Sequence, residues 1–214
     1  MTHLSPTDPA ELAAHGPVIP VIVLERLDDA LPMAEALLAG GVRVLEVTLR
    51  SNAALPAIER IARALPQAIV GAGTLRGPDD ARRAAAAGAR FGVSPGYTAA
   101  LGKACRQLGL PLLPGVATSS ELMAALDDGH RFLKLFPAEA VGGLALLKSW
   151  ASPFADASFC PTGGITPANA PAYLALPNVR CVGGSWLLPG DAVRDGDWAR
   201  ITALASAAQA LRGG

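Results

Sequence analysis

The sequence predicts an α/β protein built as a (β/α)8 barrel with a short helix before it. An apolar, β-branched run followed by an alanine- and leucine-rich helix recurs eight times, at a mean spacing of roughly 23 residues, and no linker or low-complexity segment interrupts the series. Strands that alternate with single helices form parallel sheets with right-handed crossovers, and eight of them favour a closed TIM barrel. An open flavodoxin-like sheet is the alternative, but it typically needs only about five units.

The N-terminal end of the chain predicts a helix that ends at Gly16. Asp8 can cap this helix, Pro9 suits its first turn, and Glu11 can reach back to the cap. We therefore expect residues 1–16 to be an N-terminal helical extension and residues 17–214 to be a single barrel domain.

The first four strand-and-helix units follow in order. Their predicted strands cover 18–23, 42–50, 68–73 and 90–93. The helices that follow run from an Asp28 cap to 38, from an Asn52 cap to 65, from 78 to 87, and from about 97 to 108.

The last four units follow the same pattern. Their strands cover 111–115, the run around Lys134, 157–160 and 179–182. Their helices run from a Thr118–Glu121 capping box to 126, from about 141 to 150, from 166 to 174, and from 198 to 211.

Composition excludes several classes of function. Lys+Arg and Asp+Glu both number 18 among 214 residues, so no overall charge draws the protein to nucleic acid or to a membrane surface. The three cysteines are far apart and lack a CxxC pair, which argues against a disulfide framework or a zinc cluster. The apolar runs are too short for a bilayer and no signal sequence is visible, so we expect a cytoplasmic protein.

Lys134 lies in the middle of the predicted sixth strand, where a buried ammonium is costly unless it is paired or neutral. Phe132 and Phe136 have the same strand parity, so the lysine points where two aromatic rings point. The other lysines, Lys103 and Lys148, lie in predicted surface helices. A neutral amine can attack a carbonyl carbon to form an imine, so we favour a Schiff-base enzyme over a lysine that extends its head into solvent.

Glu46, Thr48 and Arg50 share one face of the predicted second strand. Glu46 and Arg50 lie roughly 13 Å apart along it, too far for an ion pair. Three polar groups on one strand face line a site more readily than they fill a core. Further polar residues at predicted strand ends are Thr74, Ser94, Lys134, Thr162 and Ser185, and the C-terminal strand ends carry the chemistry of such barrels.

Two glycine-rich loops predict an anion site. Gly163 and Gly164 follow the seventh strand, and Gly183 and Gly184 follow the eighth, where barrel enzymes often bind phosphate. The 71–74 stretch lacks the third glycine of a dinucleotide fingerprint, so we expect no nucleotide cofactor.

The histidines form no metal-ligand pattern. His3 and His15 precede the barrel, and His130 stands at a strand start, away from the predicted chemistry. None has carboxylates at helical or strand spacing, so the sequence favours metal-free imine chemistry without a cofactor.

Six stretches together carry a family resemblance that covers nearly the whole chain after Gly16. They are 42–50 (VRVLEVTLR), 70–75 (VGAGTL), 93–96 (VSPG), 132–139 (FLKLFPAE), 159–166 (FCPTGGIT) and 183–186 (GGSW). The chain resembles the class I 2-dehydro-3-deoxy-phosphogluconate (KDPG) aldolases, also described as 4-hydroxy-2-oxoglutarate (KHG) aldolases. Leu133 and Leu135 stand where family members often carry aromatic residues, which affects packing and not the nucleophile.

The resemblance implies two catalytic residues. Lys134 would attack the C2 ketone as the Schiff-base nucleophile, and Glu46 would shuttle protons as general acid and base. The products would be pyruvate and glyceraldehyde 3-phosphate.

It also implies the substrate-binding residues and the assembly. Arg50 and Thr74 would bind the carboxylate of the pyruvyl half, and Pro95 and Phe136 would shape its pocket. The phosphate would be held by Thr162, Gly163, Gly164, Gly184 and Ser185. The family is generally trimeric, so a homotrimer is expected.

Other functions remain open at this point. The galactonate analogue, 2-dehydro-3-deoxy-6-phosphogalactonate, differs from KDPG at C4, and the sequence does not choose between them. A barrel isomerase or decarboxylase could use Lys134 without an imine, and a non-catalytic sugar-phosphate binder could share the fold.

Overall fold

Parallel strands pair side by side around a ring. The structure is a computed structural model, and it describes residues 8–212 except for the side chain of Arg212. The strands are β1 Val18–Ile22, β2 Val44–Thr48, β3 Ile69–Gly73, β4 Gly92–Val93, β5 Leu112–Leu113, β6 Gly115–Val116, β7 Phe132–Leu135, β8 Ser158–Pro161 and β9 Val182–Gly184. One sheet has the order β5-β4-β3-β2-β1-β9, and a second has the order β6-β7-β8.

The two sheets meet at two seams. At the first seam, Pro114 divides the predicted fifth strand into β5 and β6, because proline has no N–H to donate to the neighbouring strand. The Pro114 carbonyl accepts a hydrogen bond from Lys134 N at 2.8 Å. At the second, the parallel bridges Phe159–Val179 and Thr162–Gly183 join β8 to β9. If β5 and β6 are counted as one interrupted strand, the described residues form a ring of eight strands. The predicted barrel is confirmed.

Helices cover the outside of the ring. Within residues 8–212 the α-helices are α1 Ala30–Ala39, α2 Ala54–Ala64, α3 Pro78–Ala86, α4 Ala99–Leu108, α5 Ser119–Asp127, α6 Gly143–Trp150, α7 Ala170–Leu174, α8 Gly190–Asp195 and α9 Trp198–Gln209. Short 3-10 helices cover Pro9–His15, Leu27–Asp29, Glu139–Val141 and Ala210–Arg212.

The predicted N-terminal helix is present as the 3-10 helix Pro9–His15. Asp8 caps it by accepting from Ala10 N at 2.8 Å. Leu12 and Ala13 are buried among the apolar residues of the barrel lumen, so this helix packs against one end of the ring. Residues 1–7 of the predicted extension, including His3, lie outside the described residues, and the division at residue 17 stays a prediction.

Two predicted helix caps are wrong. Asp28 lies inside the 3-10 turn Leu27–Asp29, which begins one residue before it, and its carboxylate contacts Arg60 at 3.4 Å. Asn52 precedes α2 by two residues, and the N-cap position belongs to Ala53, which makes no side-chain cap bond. By contrast, Thr118 forms the predicted capping box at α5.

The helices near the C-terminus also differ from the prediction. The seventh starts at Ala170 and not at Thr166, because Thr166 and Asn169 exchange side-chain-to-backbone bonds of 2.8 and 3.3 Å before the helix begins. The helix α8 was not predicted, since its glycine and two aspartates are more typical of a loop.

The core has two parts. Outward-facing strand residues such as Leu45 and Val47 pack beneath the helices. The lumen is filled at its N-terminal end by a separate apolar cluster: Ile19, Val44, Ile69, Phe91, Val93, Leu113, Phe132, Cys160 and Cys181, with Leu12 and Ala13. Among the helices of residues 8–212, none combines the length and apolarity needed to cross a bilayer.

Candidate active site

The lumen changes from apolar to charged along its axis. On β2, Val44 in the apolar layer is followed two residues later by Glu46, and on β7, Phe132 is followed by Lys134. Alternate residues of a strand share a face, so Glu46 and Lys134 enter the same layer above the apolar cluster. This layer lies toward the C-terminal strand ends, where barrel enzymes carry their chemistry.

Lys134 and Glu46 form a buried ion pair. Lys134 Nζ lies 3.3 Å from Glu46 Oε1, and the two side chains are 4% and 3% exposed. The ring of Phe136 also faces the ammonium, at 5.1 Å from Nζ to the centroid. The ammonium head is therefore held inside the barrel and does not extend to solvent. Proton transfer within this pair leaves a neutral amine beside a carboxylic acid, the state required for attack on a carbonyl.

Gly73 makes room for the Glu46 carboxylate. A Cβ at this position on the neighbouring strand β3 would lie 2.3 Å from Glu46 Oε1 and 2.8 Å from its Cγ. Real Cβ contacts are not that short, so a side chain here would displace the carboxylate. The glycine that resembled part of a dinucleotide fingerprint thus accommodates Glu46.

Two polar residues predicted at strand ends are used for backbone contacts between strands. The Thr48 hydroxyl is buried and donates to the carbonyl of Ile22 on β1 at 2.8 Å. The Ser94 hydroxyl, also buried, accepts from Gly115 N at 3.3 Å, next to the break at Pro114. Both hydroxyls therefore connect neighbouring strands, and the expectation that Thr48 lines a site together with Glu46 and Arg50 stays a prediction.

Arg50 and Thr74 meet at the mouth of the barrel. Arg50 Nε donates to Thr74 Oγ1 at 3.1 Å, and Arg50 is exposed just beyond the end of β2. Thr74 has a φ of +64°, a left-handed conformation that is unfavourable for a β-branched residue. Such strain persists where surrounding contacts hold it, and it is frequent at binding sites.

A cleft of about 290 Å³ opens at this end of the barrel. Seven predicted site residues line it: Arg50, Phe136, Thr162, Gly163, Gly164, Gly184 and Ser185. Lys134, Glu46 and Thr74 are outside the lining; Lys134 contacts the lining residue Phe136, and Thr74 contacts the lining residue Arg50. Pro95 is outside this lining and packs its carbonyl group against Gly115 on β6.

Three apolar residues of the cleft were not predicted. Val21 and Val23 extend from β1, and Ile165 follows the first glycine pair. Val23 is 45% exposed, which is unusual for valine in a strand-rich core and consistent with a place on the cleft rim. No local pattern identifies them in the sequence, because Val21 and Val23 continue an apolar run and Ile165 stands between a glycine and a threonine.

Two glycine pairs contribute to the lining of the cleft. Gly163 and Gly164 have φ values of +98° and +80°, which glycine adopts without strain. Gly183 leaves space for the Thr162 side chain, whose Oγ1 would lie 2.1 Å from a Cβ there. The prediction that Gly183 and Gly184 form a loop after the eighth strand is wrong, because they are the last two residues of β9 and pair with β1. They line the cleft together with the Gly163–Gly164 loop.

A larger cavity of about 720 Å³ lies at the other end of the barrel. Its residues include Asp8, Phe132 and Ser158, at the N-terminal ends of β7 and β8. It is remote from the Lys134–Glu46 pair. We place the candidate site in the smaller cleft, since catalytic groups of such barrels come from C-terminal strand ends.

The described residues contain no group of three or more His, Cys, Asp or Glu side chains that could hold a metal ion. His130 lies at the far end of the barrel, where burial lowers its pKa and the carboxylate of Asp128 partly opposes this change. Its Nε2 has no hydrogen-bond partner.

Known proteins share both the sequence and the fold of this chain. A family model described as KDPG and KHG aldolase matches residues 10–204. The KHG/KDPG aldolase of Escherichia coli K12 is 53% identical over 93% of each chain. The 2-dehydro-3-deoxy-phosphogluconate aldolase of Dickeya dadantii is 53% identical, over 95% of this chain and 96% of that one. A crystal structure of KDPG aldolase from Legionella pneumophila, with pyruvate captured as a covalent carbinolamine, superposes with a TM-score of 0.93 at 48% identity, covering 94% of this chain and 98% of that one.

Proposed function

Since this chain belongs to the family of KDPG and KHG aldolases, we propose that it is a class I aldolase, a carbon–carbon lyase that cleaves KDPG to pyruvate and glyceraldehyde 3-phosphate. The observation that carries the proposal is the buried contact of 3.3 Å between Lys134 Nζ and Glu46 Oε1, next to a cleft that two glycine pairs help to line. The covalent carbinolamine in the Legionella pneumophila enzyme supports it, because a carbinolamine is the adduct of an amine and a carbonyl carbon.

The reaction begins with a proton transfer from the Lys134 ammonium to Glu46. The neutral amine attacks the C2 ketone, and loss of water from the carbinolamine gives a protonated imine. Glu46 provides the proton for the leaving water and then, as a carboxylate, accepts the proton of the C4 hydroxyl. The C3–C4 bond breaks, and its electron pair moves toward the iminium nitrogen.

Cleavage releases glyceraldehyde 3-phosphate and leaves an enamine on Lys134. Glu46 returns the proton that it took from the C4 hydroxyl to C3, which restores the protonated imine, and water then hydrolyses this imine to pyruvate and the free lysine. The iminium is an electron sink, so no free carbanion forms.

The remaining site residues bind the substrate. Arg50 and Thr74 hold the C1 carboxylate, and their mutual bond of 3.1 Å orients the guanidinium. Phe136 and Pro95 border the pyruvyl half. Backbone N–H groups of the glycine loops, with Thr162 and Ser185, hold the phosphate, and fixing this distant group orients the ketone toward the lysine.

KHG is a second substrate that we propose, since the Escherichia coli K12 relative is named for both compounds. Its cleavage gives pyruvate and glyoxylate by the same steps. Preference at C4 is tested by comparing rates of KDPG and its galactonate epimer; faster cleavage of the epimer would reassign the physiological substrate and leave the imine chemistry in place.

Borohydride trapping tests the imine. Reduction in the presence of saturating pyruvate should add a pyruvyl mass to the peptide that carries Lys134. Lys103 and Lys148 are exposed helix residues and serve as internal controls in the same digest. No adduct on Lys134 would overturn the aldolase mechanism and favour a non-imine barrel enzyme.

The family resemblance also leads us to propose a homotrimer in the cytoplasm. Equilibrium sedimentation would give three times the 21.7 kDa chain mass, and any other mass would refute the trimer. Cell fractionation tests the location.

A further inference from the structure

Glu139 ends the FLKLFPAE stretch, yet the reaction described above gives it no role. It begins the 3-10 turn Glu139–Val141, five residues after Lys134 along the chain. It is outside the lining of the cleft, and its contacts are with the glycine loop that follows β8.

The backbone on the Glu139 side holds this loop. Ala138 N donates to the carbonyl of Thr162 at 2.8 Å, and Glu139 N donates to that of Gly163 at 3.1 Å. These two bonds connect the loop to the segment that carries the nucleophile.

The stem of Glu139 packs directly on Gly164. A Cβ at Gly164 would lie 2.5 Å from Glu139 Cγ and 2.7 Å from its Cβ, so the loop backbone touches the glutamate methylene groups. Asn169 holds the loop from the other side, since its Nδ2 donates to the Gly164 carbonyl at 3.0 Å. The Gly163–Gly164 turn therefore lies between two side chains that fix its position.

Tyr173 fixes the Glu139 carboxylate. Its hydroxyl donates a hydrogen bond to Glu139 Oε1, and its side chain is fully buried. Burial first, and the bond to Glu139 second, raise the pKa of Tyr173, so the hydroxyl keeps its proton across the working pH range. Gly143, with a φ of +50°, leaves space for both groups: a Cβ there would lie 2.5 Å from the Tyr173 oxygen.

We propose that Glu139, held by Tyr173, is a positioning residue for the phosphate end of the substrate. The inference rests on the proposed function, because it takes the Gly163–Gly164 turn as the phosphate-binding loop. A carboxylate facing the cleft would repel phosphate; bonding to Tyr173 turns its charge away while its stem fixes the loop. The Glu139–Tyr173 pair therefore determines where the loop N–H groups hold the phosphate with respect to Lys134.

Two substrates distinguish this role from a general structural one. KDPG reaches the loop with its C6 phosphate. KHG ends in a carboxylate at C5 and has no phosphate, so its cleavage does not depend on the loop. A displaced loop should weaken the binding of KDPG and leave the binding of KHG unchanged.

Tyr173→Phe and Glu139→Ala are the test variants, with Glu139→Gln as the conservative one. We expect the KM for KDPG to rise about ten-fold in the first two, because small misplacements of binding groups have effects of that size or larger. The kcat/KM for KHG and the yield of trapped pyruvate should change less than about two-fold. Glu139→Gln keeps the stem and an acceptor for Tyr173, so it should recover most of the KM.

Tyr97→Phe is the matched control. Tyr97 also donates to a carboxylate, that of Asp128, but this bond lies between α4 and the end of α5, away from the glycine loops. The Tyr97→Phe variant should leave the ratio of kcat/KM for KDPG to kcat/KM for KHG unchanged. Thermal unfolding of each variant identifies any that lose the fold.

Calorimetry with glycerol 3-phosphate separates this inference from the aldolase proposal, because it requires no turnover. Its Kd should rise about ten-fold in Tyr173→Phe and stay unchanged in Tyr97→Phe. Equal losses with KDPG and KHG, or an unchanged Kd, would overturn the inference even if pyruvate trapping succeeds. Failed trapping with a raised Kd would instead refute the aldolase mechanism and retain the positioning role.

Discussion

Lys134 Nζ and Glu46 Oε1 lie 3.3 Å apart although 88 residues separate them in the chain. Glu46 belongs to the six-stranded sheet and Lys134 to the three-stranded one, so the pair spans the lumen between the two sheets. The charge of each side chain compensates that of the other where both are almost fully buried. The pair thereby contributes to the fold as well as to the chemistry.

Lys134→Ala should abolish cleavage and also lower stability. The substitution leaves the Glu46 carboxylate buried without its cation, and removing one partner of a buried pair typically costs about 3–5 kcal/mol. Denaturant unfolding measures the loss, and the double variant Lys134→Met with Glu46→Gln should recover much of it. Wild-type stability in Lys134→Ala would mean that the pair contributes nothing to the fold.

Glu46→Gln should reduce kcat by about 10²–10⁴-fold, the usual contribution of a general acid or base. Glutamine keeps the size and an oxygen acceptor for Lys134, so the Kd for pyruvate should change little, although the loss of the negative charge should lower stability as in Lys134→Ala. Steady-state kinetics and pyruvate binding provide the two measurements. If kcat and pyruvate affinity fall together, Glu46 is a binding residue.

Gly73→Ala should displace the Glu46 carboxylate, since its Cβ would lie 2.3 Å from Oε1. We expect at least about a ten-fold loss of kcat, because proton transfer depends on hydrogen-bond geometry. Gly77→Ala is the matched control: Gly77 has an extended backbone, and its Cβ would meet no atom within 4 Å. Full activity in Gly73→Ala would show that Glu46 tolerates displacement.

Thr74→Gly should weaken pyruvate binding about five-fold while leaving stability within about 1 kcal/mol. Glycine relieves the strain at a φ of +64°, but the acceptor for Arg50 Nε is lost, and a hydrogen bond contributes about 1 kcal/mol. Thr74→Ser keeps the hydroxyl and should bind pyruvate normally. A serine variant as weak as the glycine variant would transfer the role from the hydroxyl to the backbone conformation.

Chelation with EDTA should leave KDPG cleavage unchanged. Imine formation supplies the electron sink that a divalent cation supplies in metal-dependent aldolases, so the reaction needs no Lewis acid. The assay compares treated and untreated enzyme. Activity that falls with chelator and returns with a divalent ion would contradict this prediction.

The inward-facing positions of Lys134 and Glu46 were predictable from the sequence because strand parity is a local property, whereas their proposed roles came from the family resemblance. Lys134 stands in an apolar run beside Phe132 and Phe136, and Glu46 alternates with valine and leucine. The burial of each residue is indicated by its apolar neighbours within five positions of the sequence. The eightfold recurrence then brought both strands into one ring.

Contacts between distant loops were not predictable. The bond from Arg50 to Thr74, the space that Gly73 leaves for Glu46, and the packing of Glu139 on Gly164 each depend on how separate strands approach. No local pattern records that approach. The misassigned cap at Asp28 has a local cause. A 3-10 turn and an α-helix can begin with the same residues, so the sequence does not distinguish them.

The break at Pro114 has a consequence for how the enzyme can be assembled. Residues before it carry Glu46, the proposed proton acceptor, and residues after it carry Lys134, the proposed nucleophile, so neither segment contains the complete reaction centre that we propose. Two polypeptides divided at this proline would each be inert, and turnover would return when they associate and bring the acceptor and the amine together. Catalysis in such a pair would then serve as a chemical measure of complementation between fragments.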